Sequence, residues 1–270
     1  MPTKTGVISD IHIDINKDYA VIDELAKYSK QNELELLLIA GDISSYPELT
    51  LDAVSQLEAK SGAKVLYVPG NHDLWNKDSK YEDNDKIYEL YLNDEHCLSG
   101  KTYETDNHII IGDVAWYDYS FGNHDKFSIS DFEKMTHDGR TWQDSLFNKW
   151  SQNNQKKSDW FVEKFQSQID KNTSKKIVLM THMITHERFA VPEEREMWKY
   201  FNAFLGSKKL KELCITNQIK YSICGHVHYR NTFMESKVTW MCRCLNYHTE
   251  WLGAKEISSQ IADAMEIIYL

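Results

Sequence analysis

Lys64-Val65-Leu66-Tyr67-Val68-Pro69-Gly70-Asn71-His72-Asp73 is the stretch on which the reading of this chain turns. An apolar run of strand length, Lys64 to Pro69, stops and is followed at once by an amide, an imidazole and a carboxylate. The same succession occurs four more times. Thr5 to Ser9 leads into Asp10-Ile11-His12, Leu34 to Ala40 into Gly41-Asp42, Ile177 to Met180 into Thr181-His182, and Tyr221 to Cys224 into Gly225-His226-Val227-His228. Helical patterns separate the first three runs. Asp18 to Gln31 places Tyr19, Ile22, Leu25, Ala26 and Ser29 on one face, and Pro47 to Lys60 opens with proline and stops at Gly62. Strand alternating with helix predicts a parallel sheet with right-handed crossovers. In such a sheet ligands bind in the crevice at the carboxyl ends of the strands, so the five motifs are expected to converge on one site.

Each motif alone also reads as ordinary turn chemistry, Gly41-Asp42 most of all. Taken together they offer Asp10, His12, Asp42, Asn71, His182, His226 and His228, a set of nitrogen and oxygen donors without cysteine. Such a set suits divalent Mn, Fe, Zn or Ni and argues against a structural zinc site. A catalytic ion takes three or four protein groups, so these candidates exceed one ion's needs, and two ions sharing a carboxylate account for all of them. Residues i and i+2 of an extended segment point the same way, which predicts that Asp10 with His12, and His226 with His228, face the crevice together.

The ordered series D-x-H, G-D, G-N-H-D, H and G-H-x-H resembles the calcineurin-like metallophosphoesterases over about residues 5 to 230. That resemblance implies one ion held by Asp10, His12, Asp42 and His228, and a second held by Asp42, Asn71, His182 and His226, with Asp42 bridging. It also implies that His72 meets the substrate without binding metal and that Asp73 orients it. Manganese is the favoured metal. The chemistry expected of such a site is hydrolysis of a phosphate ester. Two ions about 3.5–4 Å apart would turn a bridging water into the attacking hydroxide, and His72 would protonate the leaving oxygen. A nuclease or protein phosphatase on the same scaffold, and a non-catalytic metal-binding scaffold, are the alternative readings.

Working outward, Asn84 to Asn93 reads as a helix and His108 to Trp116 as a strand. Thr232 to Met234, Lys237 to Leu245 and Ala264 to Tyr269 are expected to form a second, largely antiparallel set. The expected fold is α/β, two packed β-sheets flanked by helices, which by the resemblance is the metallophosphoesterase four-layer sandwich. One domain, residues 1–270, is expected to carry a helical insert over about 117–172, between the third and fourth motifs. The insert is rich in aromatics, most of which are expected to pack. Trp75, directly after Asp73, is the best candidate for lining a substrate pocket, whereas His186 is either a neighbour of the site or an ordinary surface histidine.

With 41% hydrophobic and 12% aromatic residues the chain is globular in composition. Its 31 Lys plus Arg against 41 Asp plus Glu give a net charge of -10, which lacks the footprint of a double-stranded nucleic-acid binder. Metal ions would offset that charge locally, so it does not settle the substrate, and the expected partner is a small phosphorylated or nucleotide substrate. No run is long enough for a membrane span, and the first strand starts at Thr5, so a cytoplasmic location is expected. Cys97, Cys214, Cys224, Cys242 and Cys244 are an odd number and read as buried thiols, with Cys242 and Cys244 on one face of a core strand.

Overall fold

Leu36–Ala40 is buried along its whole length, a state open only to a strand covered on both faces. The computed structural model, which describes residues 2–172 and 174–270, shows what covers it. In chain order the elements are β1 (Lys4–Ile8), α1 (Val21–Gln31), β2 (Leu36–Ala40), α2 (Pro47–Ser61), β3 (Lys64–Val68), α3 (Asn84–Asn93), β4 (Thr102–Glu104) and β5 (His108–Asp113). Then follow α4 (Ile129–Phe132), β6 (Thr136–His137), β7 (Arg140–Thr141), α5 (Asp144–Phe147), α6 (Asn154–Asp170), β8 (Lys176–Thr181), α7 (Trp198–Phe201) and α8 (Lys208–Thr216). The chain closes with β9 (Tyr221–Cys224), β10 (Arg230–Glu235), β11 (Val238–Arg243), α9 (Ile257–Ala264) and β12 (Glu266–Tyr269).

Two sheets form, ordered β12-β1-β2-β3 and β10-β11-β9-β8-β5-β4. The alternation of side chains along each strand builds the layers. Leu36, Leu38 and Ala40 meet Leu66, Val68, Val178, Met180, Ile223 and Met241 between the sheets. The alternate residues Leu37, Ile39, Val65 and Tyr67 join the larger core with Leu25, Val54 and Leu57 of α1 and α2. Each such side chain contributes about 2 kcal/mol over its exposed state. The second helix starts and stops as its sequence predicts. Pro47 occupies its first turn, and Gly62, at φ 74°, ends it by donating to the Glu58 carbonyl at 2.9 Å.

β1, β2 and β3 are parallel, as are β5, β8, β9 and β11, so the five motif-bearing strands end in one direction within each sheet. The segment after His228 differs from the expected antiparallel set. β10 is antiparallel to β11, but β11 runs parallel to β9, and β12 crosses to the other sheet to pair antiparallel with β1. The reason is visible in β11, where Trp240, Met241 and Cys242 are consecutive and all buried, a pattern that needs cover on both faces. Residues 117–172 hold two short helices, the β6–β7 ribbon and α6, whose Phe161, Phe165 and Ile169 enter the core. All five cysteines are free and buried, and the Sγ atoms of Cys242 and Cys244 lie 3.6 Å apart. Among the described residues, no helix is long and apolar enough to cross a membrane.

Candidate metal centre

The loops leaving β1, β2 and β9 carry five polar residues in left-handed backbone: Asp10 (φ 51°), His12 (39°), Asp42 (55°), His226 (75°) and His228 (56°). Non-glycine residues there cost on the order of 1 kcal/mol or more each, and such strain clusters at functional sites. Asp10 and His12 therefore converge through tight turns rather than through the extended backbone that the i, i+2 spacing suggested, and His226 and His228 do the same. Hydrogen bonds between the loops hold the turns. Asp10 N–H donates to the Gly41 carbonyl at 2.9 Å, His12 N–H to the Asp42 carbonyl at 3.1 Å, and His226 N–H to the Asp10 carboxylate at 3.0 Å, which ties the two sheets together. Glycine is required at two motif positions because a Cβ on Gly70 would overlap the Asp42 carboxylate and one on Gly225 the Asp10 carboxylate.

All seven ligand candidates meet, in two groups that share Asp42. In the first, His12 Nε2 lies 3.3 Å from His228 Nε2, 3.9 Å from Asp10 Oδ1 and 3.6 Å from Asp42 Oδ2. In the second, His182 Nε2 lies 3.4 Å from Asp42 Oδ1, 3.0 Å from Asn71 Oδ1 and 3.2 Å from His226 Nδ1. The two oxygens of Asp42 thus face different groups. Donor atoms of Asp10, His12 and His228, of Asp42, His182 and His226, and of His12, Asp42 and His72 each lie within 4.8 Å of one another.

The far sides of three of the four rings are anchored, while His12 Nδ1 is buried without a hydrogen-bond partner. His182 Nδ1 faces the Ala40 carbonyl at 2.9 Å, His226 Nε2 the Phe204 carbonyl at 3.2 Å, and His228 Nδ1 the Glu250 carboxylate at 2.6 Å. Carbonyls and carboxylates accept only, so the facing nitrogen must carry a proton, and in a neutral ring the inward nitrogen then keeps its lone pair. Metal-binding histidines are held in this way, so the residues present fit divalent ions. Without metal, His182 departs from this pattern. Burial works against the charged His182 ring, yet the Asp42 charge and hydrogen bond hold it up at about 9, while burial and then His182 push His226 down to about 3. Among the described residues no Lys or Arg pairs with Asp10 or Asp42, so a proton on His182 supplies positive charge that the carboxylates otherwise lack.

His72 adjoins both groups, with Nε2 3.9 Å from Asp42 Oδ2 and Nδ1 3.4 Å from Ser45 Oγ, and its ring stacks on Trp75 at 3.6 Å between centroids. Burial lowers its pKa, with Asp42 and then Asp144 acting the other way. Asp73 does not orient it. Its carboxylate is instead buried and accepts from Ser44 N–H at 2.9 Å, Gly70 N–H at 2.7 Å and the Thr50 hydroxyl at 2.7 Å, clamping the loops after β2 and β3. A side chain one position beyond His72 on a turning backbone points away from it, which spacing alone does not reveal. His186 is buried beside Glu235 at 3.1 Å, apart from these groups.

A pocket of about 550 Å³ opens on the centre, lined by Asp42, Asn71, His72, His226 and His228 and walled by Trp75, Trp142, Trp198, Tyr229 and Tyr247. Two of its acidic residues carry no signal in the sequence. Glu250 anchors His228, and Asp144 binds Asn71 and Trp75, but neither sits in a motif or at a strand end.

The family profile described as calcineurin-like phosphoesterase matches residues 3–230. The chain belongs to this family. A protein of Acanthamoeba polyphaga mimivirus, "Uncharacterized protein L509", is 25% identical over an alignment of 191 positions that covers 65% of this chain and 65% of that protein. Among solved structures, the phosphopantetheinyl hydrolase of Mycobacterium tuberculosis is similar with a TM-score of 0.74 at 17% identity, covering 99% of this chain and 96% of that one. A dimetal phosphatase from Danio rerio follows at a TM-score of 0.53 and 12% identity, over 90% of this chain and 87% of that one. At these identities the likeness is one of fold.

Proposed function

We propose that this phosphoesterase hydrolyses a small phosphate ester at two divalent ions, manganese favoured, one held by Asp10, His12, Asp42 and His228 and the other by Asp42, Asn71, His182 and His226. The observation that carries the reading is the division of Asp42, whose Oδ2 stands 3.6 Å from His12 and Oδ1 3.4 Å from His182. When bound, such ions activate water and neutralise charge on the phosphoryl oxygens. The chain's own residues do the rest. The anchors at Ala40, Phe204 and Glu250 hold the rings of His182, His226 and His228 with the other nitrogen inward, where His182 exchanges its proton for the ion. His72, facing the pocket and fixed by its stack on Trp75, donates the proton to the leaving oxygen. The aromatic walls receive the organic part of a small phosphorylated or nucleotide substrate. Five free, buried cysteines accord with a reducing, cytoplasmic location.

The test is to strip the protein of metal, reload it with Mn²⁺, and follow both stoichiometry and hydrolysis of an aryl phosphate. Two ions per chain with restored turnover are expected. One ion at saturation, or two ions without turnover on aryl phosphates and diesters, would overturn the reading, the latter in favour of a metal-binding scaffold.

A further inference from the structure

Asp144 is 1% exposed and holds four nitrogen donors but no cation among the described residues. Oδ1 accepts from Asn71 Nδ2 at 2.9 Å, Trp75 Nε1 at 2.7 Å and Asn148 Nδ2 at 3.0 Å, and Oδ2 accepts from Trp142 Nε1 at 2.9 Å. All four donors are side chains, so this carboxylate does not cap α5, the helix it begins. Burying a charge without a counter-charge is costly unless its hydrogen bonds are complete. The two indoles and two amides supply four, three on Oδ1 and one on Oδ2.

The consequence falls on Asn71. An amide has a donor end and an acceptor end, and a carboxylate accepts only. With Nδ2 committed to Asp144, Oδ1 must face the other way, where it stands 3.0 Å from His182 Nε2. Only that oxygen end can bind a cation. A turned amide would aim two N–H groups at the same place. We propose that Asp144, supplied by the segment between the third and fourth motifs, is a positioning residue that sets the Asn71 amide so its oxygen points at the metal centre. This inference rests on the two-ion reading.

The experiment titrates Mn²⁺ alone into metal-stripped protein and reads each binding step by calorimetry. Wild-type protein that takes up fewer than two ions would overturn the two-ion reading itself, and this inference with it. Given two steps in the wild type, Asp144→Asn, which keeps shape but adds a donor that can hold Asn71 either way round, should weaken one ion by about 10–100-fold and spare the other. Unchanged affinity for both would overturn the inference, and equal weakening of both would assign the effect to lost charge rather than to the amide. A second variant, the exchange N71D/D144N, places the carboxylate at the centre and the donor behind it. It should regain two-step binding, and it carries the test if Asp144→Asn does not fold. Binding of a single ion by the folded exchange variant would count against an orienting role.

Discussion

Asp42 and Asp113 are both buried carboxylates at the ends of parallel strands, β2 and β5, yet their surroundings are opposite. Asp113 is closed: it accepts from Ser99 Oγ at 2.7 Å, Tyr88 OH at 2.6 Å, Val114 N–H at 2.9 Å and Lys164 Nζ at 2.5 Å. A fixed cation and three donors use its lone pairs and balance its charge. Asp42 has imidazoles around it, and although burial opposes its ionisation, His182 and then His72 hold it well below the usual carboxylate range. Imidazoles, unlike lysine, can exchange a proton for a metal. A buried acid answered by lysine is structural, and one answered by imidazoles has partners that can give up a proton to an added cation.

The largest effect should come from removing the shared oxygen pair. Asp42→Ala should lower occupancy of both ions in elemental analysis and cut aryl phosphate turnover by at least about 10³-fold, the upper span for losing one electrostatic stabiliser. Loss of a single ion would move the bridge elsewhere and break the contrast with Asp113.

His72→Ala should retain both ions and slow turnover by roughly 10²–10⁴-fold, more for an alkyl than for a nitrophenyl leaving group, because only the alcohol needs the proton. Equal slowing for both leaving groups would make His72 a ligand or phosphate contact, as its place within 4.8 Å of His12 and Asp42 donors allows.

The proton on His182 gives the comparison a pH axis. Its metal-free value of about 9, raised by Asp42 against burial, means that an ion entering at pH 7 must displace a proton. Mn²⁺ affinity should therefore climb from pH 6 towards pH 9, by up to about tenfold per unit, and level off above. Titrations at pH 6, 7 and 8 that coincide would show that this ring is not a ligand.

Asp113→Ala should have the smallest effect on function and a plain one on stability. Both ions and turnover should persist, while denaturant melts show a loss of about 2–3 kcal/mol, the low side for a broken buried pair because Lys164 keeps 19% exposure. Metal loss in this variant would dissolve the distinction between the two acids.

The motif residues were legible because each ends an apolar run, and period-2 burial with strand-end chemistry is a local signal. Asn84–Asn93 and Tyr221–Cys224 match their expected bounds for the same reason. The partners of β11 and β12 were not legible, since a buried run shows that two faces are covered but not by which neighbour. Asp73 shows the same limit at atomic scale. Its place beside His72 suggested a hydrogen bond, but the loop turns its carboxylate to Gly70, Ser44 and Thr50.

By itself, then, the order of residues determined the candidate donors, the strands that carry them and the family, because these depend on neighbours along the chain. Only the tertiary structure decided which oxygen of Asp42 faces which histidine, and that Glu250 and Asp144 stand behind His228 and Asn71. Those contacts join residues 22 and 73 positions apart, through loops whose turns depend on packing between the two sheets, and no local pattern encodes a distance of that kind.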